Sequence, residues 1–237
     1  MDELFFGTLH FRVCHAQFRL STDSMVLADF CRPGAHDHVL DLGCGCGALS
    51  LLLLGAHPQL CVTGIELQPD AAQQAQENAA QNALHGRFAV VCGDLRQPDA
   101  RIAPGGFDCV VSNPPYFPPQ SGYDCEAETL RLARSEASCS LPELCTAAAR
   151  ALRWGGRFFL VHKPERLVDL CVCLRQARLE PKRIRFVRHC ARSAVSLVLI
   201  ESRLGGKPQL AYEPDLILFD ADGRESAEYR RIYHQQE

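Results

Sequence analysis

The sequence lacks the segments that mark secreted and membrane-spanning proteins. Its start, Met1–Leu4, has neither the basic segment nor the long apolar core of a signal peptide. No apolar run approaches the ~20 residues that a membrane-spanning helix requires. We therefore expect a protein of the cytoplasm with no membrane partner.

An excess of charge of either sign is also missing. The 25 basic and 28 acidic residues give a formal net charge of −3. Such a balance excludes attraction of the whole surface to nucleic acid, so any binding of this kind must depend on a local basic patch.

Cysteine is frequent, but its 13 copies include no Cys-x-x-Cys pair. Only one residue separates the cysteines in Cys44–Cys46 and in Cys171–Cys173, which is too short for a common structural zinc site. Other cysteines, such as Cys61 and Cys109, lie inside apolar runs, where a thiol acts as a small core side chain. We therefore predict reduced thiols and no bound metal.

What is present is an alternation of short apolar strands with helices, which predicts an α/β fold with a mainly parallel sheet. The length suits one domain over residues 1–237, with residues 1–38 as an N-terminal extension that covers the cofactor and substrate site. The predicted strands are 38–42, 60–66, 88–91, 107–112, 157–161, 184–187 and 195–201. The predicted helices are 23–30, 48–56, 69–83, 141–152 and 165–177, and Leu9–Leu20 is predicted to form a hairpin.

A glycine-rich loop follows the first of these strands. Gly43, Gly45 and Gly47 form Gly-x-Gly-x-Gly, which differs from the Gly-x-Gly-x-x-Gly pattern of dinucleotide sites. Asp41, at the end of the strand, would repel a pyrophosphate and attract an ammonium or sulfonium group. A tight turn without a ligand is an equally good interpretation of this loop taken alone.

Two further acids stand at the ends of the next two strands. Glu66 is positioned to accept the hydroxyls of a ribose, and Asp94 to accept from an adenine amino group. A solvated strand end or a helix cap explains each acid singly. Together with Asp41 they describe S-adenosylmethionine, and we place Leu67 and Leu95 in the same cofactor site.

The fourth predicted strand ends in Ser112-Asn113-Pro114-Pro115-Tyr116. Two prolines remove two backbone donors and keep the preceding Asn113 out of the helical region. The corner holds an amide and an aromatic ring at the edge of the sheet where ligands bind. Asn113 and the carbonyl of Pro114 can both accept from a planar amine, and Tyr116 can stack on its ring.

In this order these motifs resemble the class I S-adenosylmethionine-dependent methyltransferases that methylate amino groups. The resemblance implies a Rossmann-like seven-stranded sheet, mostly parallel with its last strand antiparallel, and helices on both faces. It implies S-adenosylmethionine as the cofactor, S-adenosylhomocysteine as the product, and no metal. It also assigns Asn113, Pro114, Pro115 and Tyr116 to the catalytic corner.

A narrower resemblance covers nearly the whole chain. Ser21-Thr22-Asp23 followed by Leu27-Ala28 is similar to a motif of the bacterial tRNA1(Val) adenine N6-methyltransferases. It implies adenine N6 in a valine tRNA, next to the anticodon, as the acceptor, and a place for Thr22 and Asp23 beside the cofactor. Ser135 stands where that family usually has His, so no role is assigned to it.

Basic residues supply the expected RNA contacts. Arg131 and Arg134 follow the catalytic corner, and Lys182, Arg183 and Arg185 form a basic stretch at the start of a predicted strand. The alternative for this stretch is an edge strand that charge protects from pairing. We expect a monomer that binds tRNA, with a dimer as the alternative.

Three other functions remain open at this point. The same corner serves methylation of a protein glutamine at N5 and of ribosomal guanine at N2, and a non-enzymatic RNA chaperone could bind the cofactor. The glutamine enzymes need a helical N-terminal domain, for which residues 1–38 are too few. A chaperone would not need Asn113 or Asp41.

Overall fold

The computed structural model describes residues 2–4, 9–14, 20–97, 99–115 and 139–233. For residues 2–4 it describes the backbone only. Within these ranges the chain forms a two-stranded hairpin and one nine-stranded sheet. The hairpin strands are β1 (Asp2–Leu4) and β2 (Leu9–Phe11). The sheet strands are β3 (His38–Leu42), β4 (Cys61–Glu66), β5 (Phe88–Cys92), β6 (Phe107–Ser112), β7 (Leu152–His162), β8 (Leu179–Arg188), β9 (Val195–Leu204), β10 (Ala211–Tyr212) and β11 (Leu216–Ile217).

The sheet follows the expected topology. Seven long strands lie in the order β8-β9-β7-β6-β3-β4-β5, and β9 runs antiparallel to both of its neighbours. The short strands β10 and β11 pair in parallel with the outer side of β8. The predicted seven-stranded sheet is therefore confirmed, and two short strands extend it.

Helices cover both faces of the sheet, as predicted. They are α1 (Thr22–Phe30), α2 (Ala48–Ala56), α3 (Pro69–Gln81), α4 (Leu141–Ala151), α5 (Leu167–Gln176) and α6 (Ala227–Ile232). One buried cluster joins α1, α2, α3 and α6 to the sheet, and a second joins α4 and α5 to the other face. Because both faces are covered, the central strands are almost completely buried, β3 from Val39 to Leu42 and β6 from Cys109 to Ser112.

The N-terminal extension packs on α3 through two asparagines. The amide of Asn78 pairs with the backbone N–H and carbonyl of Arg12, and Asn82 does the same for His10. These contacts engage the backbone of residues 10 and 12, and β2 pairs with Asp2–Leu4. Residues 15–19 of the predicted Leu9–Leu20 hairpin lie outside the described residues.

Two boundaries differ from the prediction. β7 is one strand over Leu152–His162, although we predicted a helix to 152 and a strand from 157. Residues 153–156 form a bulge between the pairs Phe107–Leu152 and Cys109–Arg157, and Gly155, with φ of +78°, lets the chain bend there. The predicted helix 165–177 divides into a 3₁₀ turn, Pro164–Arg166, and α5. No helix of the described ranges combines the length and apolar character needed to cross a bilayer.

Candidate active site

The carboxyl ends of β3, β4, β5 and β6 form one continuous edge of the sheet, because these strands are parallel neighbours. Asp41 and Glu66 lie in the ends of β3 and β4, and Asp94 follows β5. Asn113 follows β6. The fold therefore brings the predicted cofactor acids and the predicted catalytic amide to the same edge.

The glycine loop between β3 and α2 has a backbone that only glycine adopts readily. Gly43, Gly45 and Gly47 have φ of +74°, +55° and +88°. On β4, Gly64 lies against the side chain of Cys44, since a Cβ at this glycine would be 2.6 Å from the Cys44 Sγ. The loop consequently folds closely onto β4 and leaves its backbone at the edge of the sheet.

Glu66 holds this loop in place. One carboxylate oxygen accepts from the N–H of Gly45 at 2.9 Å, and the other accepts from the N–H of Gln68 at 2.8 Å. The side chain is largely buried. A carboxylate has further lone pairs on both oxygens, so a Glu66 fixed in this way can still accept from a diol.

Asp41 is fully buried and accepts from the Ser50 hydroxyl at 2.7 Å. Burial raises the pKa of this carboxyl from 3.8 to about 7, with a further contribution from the nearby Glu66 and opposed by the hydrogen bonds from Ser50. The ionised form is therefore poorly stabilised by the protein alone. A cation beside Asp41 would favour it.

Asp94 is engaged by a neighbour that we did not predict. The guanidinium of Arg96 makes a bidentate pair with the carboxylate, with one contact of 2.6 Å. Hydrogen bonding from this side chain lowers the pKa of Asp94. Leu95 packs on the core of one face, whereas Leu67 is 45% exposed and offers an apolar surface next to Glu66.

The Asn113 amide is fixed by a residue that the sequence analysis missed. Its Nδ2 donates to the Ser24 hydroxyl oxygen at 2.9 Å. This hydrogen bond fixes the orientation of the amide and leaves the amide oxygen to act as an acceptor. Ser24 is buried in the first turn of α1. Pro114 is buried, Pro115 is exposed, and Tyr116 lies outside the described residues.

Thr22 and Asp23 begin α1 but do not cap it. The cap is Ser21, whose hydroxyl accepts from the N–H of Ser24. The Thr22 hydroxyl accepts from the Tyr233 hydroxyl at 2.8 Å, which joins α1 to the end of α6. No signal in the local sequence could reveal the contact of Ser24 with Asn113, because 89 positions separate the two residues.

The basic residues of β8 are largely engaged within the fold. Arg183 pairs with Glu201 at 2.7 Å and Glu213 at 2.8 Å, and its guanidinium lies over the ring of Phe30. Arg185 pairs with Glu228 at 2.8 Å. Both arginines have side chains only 12% exposed, so they stabilise the packing of β8.

Of the other basic residues predicted to contact RNA, the structure describes only Lys182. Lys182 donates to the carbonyl of Lys207 at 3.0 Å, near the amino end of β8. Arg131 and Arg134 lie outside the described residues, as does Ser135. Because β9 flanks one side of β8 and the short strands β10 and β11 flank the other, the alternative of a free edge strand is wrong.

The described cysteines are free thiols. Within the described ranges, no group of three His, Cys, Asp or Glu side chains has the arrangement of a metal site. The Sγ atoms of Cys14 and Cys46 lie 3.5 Å apart, which brings the N-terminal extension against the glycine loop.

Comparison with known proteins finds a methyltransferase family and relatives named as tRNA methyltransferases. A family model described as the methyltransferase small domain matches residues 14–169. The tRNA1(Val) (adenine(37)-N6)-methyltransferase of Porphyromonas gingivalis is 31% identical over 222 residues, which cover 90% of this chain and 86% of the relative. The protein of the same name from Histophilus somni is 25% identical, with 98% and 95% of the two chains covered.

Solved structures share the fold at low identity. A predicted O-methyltransferase of Agrobacterium tumefaciens superposes with a TM-score of 0.71 at 18% identity, over 90% of this chain and 96% of that one. A geranyl diphosphate methyltransferase determined with S-adenosylmethionine has a TM-score of 0.56 at 15% identity, over 76% and 84% of the two chains.

Proposed function

Because the chain belongs to the methyltransferase small domain family, and within it to the tRNA1(Val) (adenine(37)-N6)-methyltransferases, we propose that it methylates N6 of adenine 37 in a valine tRNA. It is an S-adenosylmethionine-dependent methyltransferase. The orientation of the Asn113 amide supports a planar amine as the acceptor. Ser24 fixes this amide at the edge of the sheet that also holds the cofactor acids.

The residues of the glycine loop and its acids fit the cofactor. Glu66 would accept from the ribose hydroxyls, and Asp41 would lie near the cationic end, where its raised pKa falls again. Gly43, Gly45 and Gly47 would let the ligand approach the backbone, while Asp94, Leu67 and Leu95 would surround the adenine. When bound, S-adenosylmethionine supplies an electrophilic methyl group on a sulfonium.

Asn113 prepares the acceptor nitrogen for attack. The lone pair of an aromatic amine is delocalised into the ring, which makes it a poor nucleophile. If the Asn113 amide oxygen and the Pro114 carbonyl both accept from the amine, they favour a pyramidal nitrogen with its lone pair available. They also stabilise the positive charge that forms on this nitrogen.

The other residues of the site orient the base. Pro115 and the buried Pro114 hold the corner in one conformation, and we propose that Tyr116 stacks on the adenine. The nitrogen loses its extra proton after transfer, when the proton is acidic, so no strong base is needed. The target adenine must leave its stack, which costs less in a loop than in a duplex.

We propose Arg131 and Arg134 as RNA contacts near the corner, and Thr22 and Asp23 as part of the wall beside the cofactor. Arg183 and Arg185 form ion pairs within the fold and are not part of this proposal. We further propose one domain over 1–237, with 1–38 covering the site, that acts on tRNA in the cytoplasm as a monomer. Light scattering on the purified chain distinguishes this monomer from the alternative dimer.

The test is incubation with methyl-labelled S-adenosylmethionine and tRNA from cells without this modification, followed by nucleoside mass analysis. We expect N6-methyladenosine at position 37 of one valine tRNA. Absence of N6-methyladenosine from every tRNA would refute the proposal, and N2-methylguanosine formed in a parallel incubation with unmodified ribosomal RNA would establish the alternative acceptor.

A further inference from the structure

The single tryptophan of this chain, Trp154, is 67% exposed at the start of β7. β7 is parallel to β6, so its first residues lie at the amino edge of the sheet, opposite the edge that holds Asn113. Trp154 lies in the irregular stretch before Arg157, and the five steps from Arg157 to His162, at the other end of β7, alone span ~17 Å at ~3.3 Å per strand residue. This tryptophan therefore does not belong to the reaction site, and neither core cluster includes it.

The surroundings of Trp154 hold the indole in a defined position. Gly205 lies against the ring, because a Cβ at this glycine would be 2.2 Å from the Trp154 Cζ2. The guanidinium carbon of Arg178 lies 5.0 Å from the ring centroid, and the Arg178 carbonyl accepts from the N–H of Gly205 at 2.8 Å. Arg178 has φ of +61°, a backbone conformation that is rare for any residue except glycine.

Exposed cations lie on the segments that carry or adjoin this ring, and Arg178 contacts it directly. They are Arg153, Arg175, Arg178, Arg203 and Lys207, joined by the partly buried Lys182, and we call them with Trp154 the amino-edge patch. Arg203 donates to the carbonyl of Gly155, and Lys182 donates to that of Lys207, so the members adjoin.

Two acids pair with cations of the amino-edge patch and are less exposed than those cations. Asp108 pairs with Arg153, and Glu180 pairs with Arg175. The acid side chains are 21% and 14% exposed, whereas those two arginines are 62% and 61% exposed. The surface presented to solvent is therefore cationic, although the whole chain carries a formal charge of −3.

A rigid exposed indole among arginines suits a partner that offers both phosphates and flat apolar rings. Guanidinium groups bind phosphates, and an aromatic ring stacks on an unpaired base. We propose that the amino-edge patch is a second contact for the tRNA substrate, at a part of the tRNA remote from the methylated loop. This inference rests on the proposed function and names a further surface of the same substrate.

Because the amino-edge patch and Asn113 lie at opposite edges of the sheet, the inference predicts different results for a short RNA and for full-length tRNA. An isolated anticodon stem–loop bound at Asn113 does not need the amino-edge patch, whereas a full-length tRNA engages both. Loss of the amino-edge patch therefore raises KM for full-length tRNA without changing kcat, and leaves KM for the stem–loop unchanged.

The first experiment uses the single tryptophan as a direct probe. Titration of the full chain with unmodified full-length valine tRNA is expected to quench the Trp154 emission in a saturable and salt-dependent way. The anticodon stem–loop is expected to leave the emission unchanged. Emission that changes with protein concentration alone would show contact between copies of the chain and would overturn the inference.

The second experiment compares variants by steady-state methylation. Trp154→Ala is expected to raise KM for full-length tRNA roughly tenfold, as for the loss of one stacked base, and Trp154→Phe to restore most of this. Arg178→Gln should raise KM as well. Arg101→Gln, which removes one exposed cation paired with Asp99, is the control and should change nothing.

Unchanged KM in both amino-edge variants, with an active wild type, overturns the inference and leaves the proposed function intact. If the wild type methylates no tRNA, the proposed function fails, and the fluorescence titration still decides whether the amino-edge patch binds RNA.

Discussion

The Nδ2 of Asn113 donates to the Ser24 Oγ over 2.9 Å, and this contact joins the end of β6 to the first turn of α1. Ser21 and Tyr233 fix that turn in its place, the first as its cap and the second through Thr22. The amide oxygen of Asn113 is thereby held in one orientation before any substrate arrives.

Replacing Ser24 should impair the chemical step rather than binding. Ser24→Ala removes the acceptor that orients the Asn113 amide, and we expect kcat to fall about threefold to tenfold, the effect of one hydrogen bond. Ser24→Thr keeps a hydroxyl and should retain more activity. Calorimetry should give the same cofactor affinity for all three proteins, and an unchanged kcat in Ser24→Ala would contradict the positioning role.

Asn113→Ala removes the acceptor itself. We expect kcat to fall by roughly 100-fold or more, as when one preorganised hydrogen-bond group is lost from an active site. Cofactor affinity should stay within about twofold, because Asn113 acts on the acceptor nitrogen. Single-turnover methylation measures the first quantity and calorimetry the second; comparable turnover in variant and wild type would remove Asn113 from the mechanism.

Glu66→Gln tests the cofactor site with little change of shape. The variant loses the charge and one acceptor towards Gly45 and Gln68, so we expect the cofactor Kd to rise about tenfold to 100-fold. The matched control is Glu77→Gln on the exposed side of α3, where Glu77 accepts from the side chains of Gln73 and Gln74. Equal Kd values for the two variants would exclude Glu66 as a cofactor ligand.

Asp41 makes the stability of the cofactor-free protein depend on pH. Its pKa rises to about 7 on folding, so the native state holds this proton more tightly than the unfolded chain. The contribution is complete below about pH 4 and is lost as the pH rises through about 7, with a total on the order of 4 kcal/mol. Urea unfolding of the wild type and Asp41→Asn from pH 5 to 8 isolates this effect, and parallel curves would contradict it.

Asn78 ties three segments together from a fully buried position. Its amide donates to the carbonyls of Arg12 and Cys46, both at 2.8 Å, and accepts from the N–H of Arg12. Asn78→Ala leaves these groups without a partner, and we expect a loss of about 2–4 kcal/mol in the free energy of unfolding. Denaturant unfolding measures this loss; Gln76→Ala, on the exposed side of the same helix, serves as the control.

Much of the fold and the edge of the site could be predicted, because those features depend on neighbouring residues. Alternating strands and helices imply parallel strands, and parallel strands end at one edge. That argument brought Asp41, Glu66, Asp94 and Asn113 together, and the structure has all four at this edge. The contacts of His10 and Arg12 with α3 could not be predicted, because α3 follows much later in the chain.

The sequence by itself therefore determined the order of the elements, the glycine loop and the acids at the strand ends, since each depends on local spacing. Only the tertiary structure decided which side chains meet across long stretches of sequence. Ser24 could not be connected with Asn113, and Arg183 could not be assigned to Glu201 and Glu213, before the strands and helices were packed. The exposure of Trp154 could not be predicted either, because burial depends on which elements cover a residue and not on its neighbours in the chain.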